Sequence, residues 1–259
     1  MRARSAVAAL VLLSPPALAG AWTLDRGHVQ IFTGSCYSLA TRRFDGNAVP
    51  SENTVFDKLT LQSWMEYGLT DAVTLFAAPE YTVADYGSGT AVLHPKSTSV
   101  EAGVRILLLS HGGMLSVQAS GKTAGAFDMS VSADGAAGRQ WELRLLYGRS
   151  FKLLRRDGFI DIEAAQRWIE RPRPDEGTVE ATAGFWISPR YLVMLQSFNT
   201  FAWGSAKPPY EPYRLHKLQA SLVQRLTRRW AIQTGVFYAP AGRNIVQERG
   251  VVTTIWYRS

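Results

Sequence analysis

The chain has 259 residues, 46% of them hydrophobic, with 28 Lys and Arg against 21 Asp and Glu and a formal charge of +7. A single cysteine, Cys36, excludes an internal disulfide and cysteine-rich metal sites. Its cation pairs Arg42-Arg43, Arg155-Arg156 and Arg228-Arg229 are scattered through expected loops and turns, which argues against a nucleic-acid partner and suits a surface among phosphate-rich lipid headgroups.

At the start, Arg2 and Arg4 precede an apolar run over 6–13, a Ser-Pro-Pro break and Ala17-Leu18-Ala19. These are the three parts of a secretory signal, so cleavage is expected after Ala19, with 1–19 the signal peptide and 20–259 one domain. An eight-residue apolar core is too short to anchor the chain, because a helix needs about 20 residues to cross hydrocarbon. No cysteine stands at the cleavage site to carry a lipid, and loss of two arginines leaves 26 cations against 21 acids, or +5.

After the signal the chain alternates. In 59–81, Leu59, Leu61, Met65 and Tyr67 occupy one parity and Thr60, Gln62, Trp64 and Glu66 the other, with a break at Gly68-Leu69-Thr70-Asp71 before alternation resumes. Period two places the sets on opposite faces of a strand, and the break reads as a hairpin turn. The same reading along the chain places strands at 28–38, 57–67, 72–81, 98–109, 114–121, 140–149, 159–168, 178–187, 191–200, 214–226, 230–238 and 250–257. Short breaks recur roughly every 40 residues, near 70, 110, 153, 189 and 228, and alternate with longer Gly-, Pro- and charge-rich stretches at 41–56, 82–97, 122–139, 170–177, 202–213 and 239–249.

Alternating segments of about ten residues, joined by short turns at one end and long loops at the other, match a transmembrane barrel, whose strands need about 9 to 11 residues each. The expected fold is all-β: a single transmembrane antiparallel up-and-down β-barrel of about twelve strands in the outer membrane of a Gram-negative bacterium, with the short turns periplasmic. Tyr67, Tyr147, Trp168, Tyr191, Trp230, Tyr238 and Trp256 stand near strand ends, where rings form interface girdles. A β-sandwich with core aromatics is the competing architecture. Segment 159–169 also fits an amphipathic helix through Ile162, Ala165, Trp168 and Ile169; a strand is preferred because it preserves the repeat and an even strand count.

The start "GAWTLDRGHVQIFTG", the "RRFDGN" loop, the "EYGLTD" turn followed by "TLFAAPEY", and "LVMLQSFNT" resemble proteobacterial outer-membrane β-barrel proteins of the XagA type. That resemblance covers most of the mature chain and rests on strand and turn motifs. It implies a link with cell-surface exopolysaccharide and biofilm. One departure is the ending "VVTTIWYRS": outer-membrane barrels commonly resemble one another in a last strand that closes on a terminal aromatic, whereas here Arg258 and Ser259 follow Tyr257.

Catalytic signals are sparse. His94 has Ser97 nearby in "HPKS", but sequence proximity makes no triad; His28, His111 and His216 lie at a strand start, in a turn and on an apolar strand face. No nucleophile elbow, zinc-binding His pair, phosphate loop or dinucleotide fingerprint is present. "DMSVSADG" at 128–135 lacks the spacing and final Glu of a calcium loop and reads as a loop tip. No enzyme, cofactor or metal is expected.

A charged set on the polar parity carries the functional reading: Glu66, Glu80, Glu101, Arg105, Glu142, Arg144, Asp161, Glu163, Arg167, Glu180, Lys217, Gln219 and Arg225. A charge facing lipid at the midplane costs about 2–4 kcal/mol, so these side chains are expected to line the lumen. They suit a narrow or gated channel for a hydrophilic solute or saccharide. The alternatives are a filled structural or surface-interaction barrel, in which the charges pair and fill the interior, and a lipid- or glycan-modifying enzyme. Expected partners are outer-membrane lipid and lipopolysaccharide, the barrel-assembly machinery, and a polysaccharide or small polar solute.

Overall fold

A computed structural model describes residues 20–88, 91–127, 137–203 and 210–259; the expected signal and the 128–135 loop tip lie outside these. Its elements are β1 (Val29–Phe44), β2 (Pro50–Thr70), β3 (Val73–Ser88), β4 (Ala91–Leu93), β5 (Lys96–Leu109), β6 (Met114–Lys122), β7 (Gln140–Leu153), β8 (Arg156–Ile169), β9 (Asp175–Trp186), β10 (Tyr191–Trp203), β11 (Arg214–Arg225), β12 (Trp230–Arg243), β13 (Ile245–Val246) and β14 (Arg249–Arg258). Every pairing is antiparallel, and β1 pairs with both β2 and β14, so Phe32 stands opposite Trp64 on one side and Trp256 on the other. Apart from short β4 and β13, which extend the sheet at β3 and β1, twelve strands close into a ring. Closure leaves no unpaired strand edge, the condition for a sheet to cross hydrocarbon.

All twelve expected strands are present, and 159–169 is strand: β8 pairs with β7 and β9 along its length. Several strands outrun their expected ends. β1 and β2 pair as far as Phe44 with Pro50, so most of the loop expected at 41–56 is a hairpin stem; β3 and β12 likewise enter 82–97 and 239–249. Beyond the bilayer both faces of a strand meet water or loops, so the apolar alternation fades while backbone pairing continues. The β7–β8 reversal is a two-residue turn, Leu154-Arg155, with φ of 50° and 61°, as in the type I′ turns whose twist matches a hairpin.

Leu61, Leu75, Val100, Leu145, Leu195 and Val251 are among the exposed apolar side chains of the outer wall, the surface that lipid covers. Tyr67, Tyr147, Tyr191 and Trp230 ring the short-turn end, and Tyr81, Trp168 and Tyr238 the long-loop end, all exposed. Trp256 departs from the expected girdle: it is buried, packs edge-on against Phe32 at 5.3 Å and donates its indole N–H to Gln233. Its parity is opposite to that of Val251, Ile255 and Tyr257, so the lumen claims it.

Inside, an apolar cluster of Phe32, Phe159, Trp186, Leu192, Met194, Val223 and Trp256 lies toward the short-turn end. A second, of Ala40, Phe44, Phe56, Ala202, Tyr213, Ile245 and Val246, with Tyr86 and Phe127 against it, crosses the interior toward the long loops. Polar side chains fill the zone between.

Candidate functional site in the barrel interior

Residues 20–28 precede β1; 20–24 run inside the barrel and 25–28 are exposed at its short-turn rim. Ala21 and Leu24 are fully or nearly fully buried. Ala21 donates its N–H to Asp161 Oδ1 at 2.9 Å, its carbonyl accepts from Ser116, and Leu24 N–H meets Thr74 Oγ1 at 2.8 Å. Trp22 packs edge-on against Phe159 at 5.9 Å and its carbonyl accepts from Arg105 at 3.1 Å.

Two glycines give this strap its room. A Cβ on Gly68 would lie 2.1 Å from the Asp25 carbonyl oxygen, and one on Gly148 would lie 2.6 Å from the Trp22 ring. Gly68, expected in a turn, is therefore a point of backbone approach inside β2, and the reversal itself falls at Asp71 and Ala72. Gly27 and Gly68 exchange backbone bonds with this crossing, Gly27 N–H to Gly68 O at 2.8 Å and Gly68 N–H to His28 O at 3.0 Å.

Arg105 anchors the short-turn end of the polar zone. It pairs with Glu66 at 2.9 Å, both side chains 1% exposed, and donates to Gln118. On the β7–β9 wall, Arg144 is shared by Glu142 at 2.8 Å, Glu163, and Glu180 at 3.3 Å, while Arg167 bridges Glu142 at 2.7 Å and Glu176 at 2.8 Å. Asp161 and Glu163 are close enough to hydrogen-bond. Next along the ring, Glu101 accepts from Ser120 and Glu80 pairs with Lys122 at 3.5 Å. Across the barrel Gln219 bonds to Gln196 at 2.9 Å, and Arg225 lies 4.4 Å over the Trp186 ring.

Toward the long loops, Glu248 is fully buried between Lys58 at 2.8 Å and Lys217 at 2.6 Å. It sits in the link between β13 and β14, outside the spanning strands. Burial alone would raise its carboxyl pKa; Lys217 and Lys58 overcome that and hold it at about 2. Tyr213, just before β11, donates to Glu176, and burial together with that carboxylate pushes its hydroxyl well above the usual range.

All thirteen charged or amide residues singled out by parity thus meet interior partners. Their partners Lys58, Gln118, Lys122, Glu176 and Glu248, and the strap itself, went unremarked. Lys58 and Gln118 sit on the polar parity of their strands, where alternation points to them. Lys122, Glu176 and Glu248 fall in the expected loops 122–139, 170–177 and 239–249, where parity has no meaning.

A cavity of about 320 Å³ opens among these groups, lined by Trp22, Phe32, Trp64, Phe159 and Trp256, by Asp161, Glu163 and Glu180, and by Gln62, Gln196, Gln219 and Gln233. That is at the lower end of the roughly 300–1,000 Å³ typical of small-molecule sites. Aromatic walls with amides and carboxylates offer stacking and hydrogen bonds to a small polar solute.

His94 is exposed and bonded to Asp85 at 2.7 Å, whereas Ser97 is buried on the inner face. His216 bonds to Asn199 on the outer wall, and His28 to the Ser259 carbonyl at 3.1 Å. Among the described residues no group of three potential ligands could hold a metal.

No family model and no curated protein matches the chain. Solved structures do. A COG4313 outer membrane channel from Pseudomonas putida F1 superposes with a TM-score of 0.69 at 12% identity, over 94% of this chain and 99% of that one. The translocator domain of the autotransporter NalP from Neisseria meningitidis gives 0.60 at 12% identity, over 91% and 90%. The NanC porin gives 0.51 at 7% identity, over 89% and 99%. At such identities the likeness establishes the fold: this is a twelve-stranded outer-membrane β-barrel.

Proposed function

We propose that the protein is a narrow, gated channel for a small hydrophilic solute or saccharide, held constricted by the strap at one end and the apolar cluster at the other. The observation that carries this reading is the polar, aromatic-walled cavity inside the lumen, beside the strap. A barrel that served only as a scaffold would have no use for unfilled space lined by four glutamines and three carboxylates. Two of the fold neighbours are an outer membrane channel and a porin, which supports the same reading. In it, Glu66, Glu80, Glu101, Arg105, Glu142, Arg144, Asp161, Glu163, Arg167, Glu180, Lys217, Gln219 and Arg225 line the solute path. Residues 1–19 serve as a cleaved signal, the barrel-assembly machinery inserts the chain among lipid and lipopolysaccharide, and no catalysis is involved. The XagA-type resemblance would place the solute among cell-surface saccharides, with a role in exopolysaccharide and biofilm.

A filled structural barrel is the second reading, favoured by the pairing of nearly every interior charge. Planar-bilayer recordings separate the two. The channel reading expects small, intermittent steps from the intact mature protein and steps several-fold larger once residues 20–24 are removed behind the signal. Silence from both proteins, each showing the heat-modifiable migration of a folded barrel, would establish the filled one.

A further inference from the structure

The strap ends at a cluster of acids with too few cations. Arg144 is divided among Glu142, Glu163 and Glu180, and Arg167 is taken by Glu142 and Glu176. Asp161 has no direct ion pair among the described residues: Arg105 acts on it only from beyond ion-pair distance and is taken by Glu66, while Asp161 faces Glu163 and accepts the Ala21 N–H. Gly20 is pressed against this carboxylate, so closely that a Cβ there would lie 2.7 Å from Asp161 Oδ1, and it lines the cavity beside Asp161, Glu163 and Glu180. Neighbouring carboxylates in a low-dielectric interior repel one another unless a cation or proton joins them.

We propose that the missing cation is the chain's own α-ammonium, freed on Gly20 when the signal is removed, and that it locks the strap into the lumen among Asp161, Glu163 and Glu180. Hydrolysis of the bond between Ala19 and Gly20 adds one water, leaving a carboxylate on the departing segment and an ammonium on Gly20. Before cleavage that nitrogen is a neutral amide with one hydrogen. Afterwards it carries a positive charge and three donors, enough to bridge Asp161 and its neighbours with charge-assisted bonds. The Gly20 position itself suits this role, since any side chain there would collide with the acid it must approach. Processing thereby becomes a precondition of lumen closure: only the cleaved chain carries the charge that fastens its own strap. The inference rests on removal of residues 1–19 and adds a lock to the channel reading.

The test is protection of the Gly20 amine. Mature protein purified from outer membranes in detergent is sequenced from its N-terminus and treated with trinitrobenzenesulfonate, with labelling of Gly20 followed by peptide mass mapping and exposed Lys152 as the internal standard for reagent access. The expected result is Gly20 as first residue, labelled at least ten-fold more slowly in the folded barrel than in urea. Asp161→Asn combined with Glu163→Gln should bring the folded rate close to the unfolded one while heat-modifiable migration persists. A different first residue, or labelling of the folded wild type at the unfolded rate, overturns the proposal, as does unchanged protection in the double variant. The folded-to-unfolded ratio of the wild type decides the matter even if the double variant fails to fold. Absence of conductance would remove the channel reading and leave the amine result standing.

Discussion

The two ends of the barrel interior are closed by different physics. At the short-turn end the closing element is a strap threaded past glycines, fastened largely by hydrogen bonds to Asp161, Arg105, Ser116 and Thr74. At the long-loop end the barrel's own strands and the β13 extension supply an apolar cluster, pinned by the Lys58–Glu248–Lys217 triad. A strap held by directional bonds can leave while every strand stays paired. A cluster made of the wall's own side chains cannot open without moving the wall. If either end gates, the strap end does so at lower structural cost.

The largest effect is expected where the two closures differ most. Arg105→Ala leaves Glu66 buried and unpaired and frees the Trp22 carbonyl, which should cost about 3–5 kcal/mol in folding stability under denaturant. It should also make residues 20–24 accessible to protease in the folded fraction. Phe44→Ala at the other end removes a ring that is 2% exposed and should cost about 3–5 kcal/mol as well, but with the strap still protected. Strap exposure in both variants would mean that the two ends are coupled.

The charge map adds a second contrast. Val104→Arg puts a cation on the lipid face and should cost about 2–4 kcal/mol near the midplane, less than loss of buried Arg105 beside it. A harmless Val104→Arg would place that strand face away from lipid. At the long-loop end acid should act only below the ordinary carboxylate range. The Glu248 carboxyl is depressed to about 2 from an unfolded value near ~4.3, so its contribution is complete above the unfolded value and is lost as pH falls toward the folded one. A Glu248→Gln protein, already weakened by its unbalanced lysines, should lack this part of the acid dependence. The smallest change is at the β7–β8 turn: Leu154→Asn, better suited to φ of 50°, should stabilise by roughly 0.5–1 kcal/mol and leave both closures unaffected.

Much of the architecture could be read from local alternation, because lipid rewards one parity of each strand and a lumen the other. Val100, Val104 and Ile106 against Glu101 and Arg105 in β5 state that rule within seven residues, and even the contested 159–169 segment resolved once its neighbours demanded a strand. What alternation cannot encode is everything set by closure. Arg105 and Glu66 are 39 positions apart, Lys58 and Glu248 are 190 apart, and their meeting depends on strand stagger and, for Glu248, on the closure of β14 onto β1. Trp256 had the right composition for a girdle and the wrong parity. Gly68 looked like a turn because glycine serves equally where a chain reverses and where a second backbone passes close. The strap left no periodic signal, since a segment bonded to many strands in turn has neither strand nor helix spacing. Faces are a property of neighbouring residues and were present in the sequence; partners, cavity and strap are properties of a closed surface, and only folding brings them into existence.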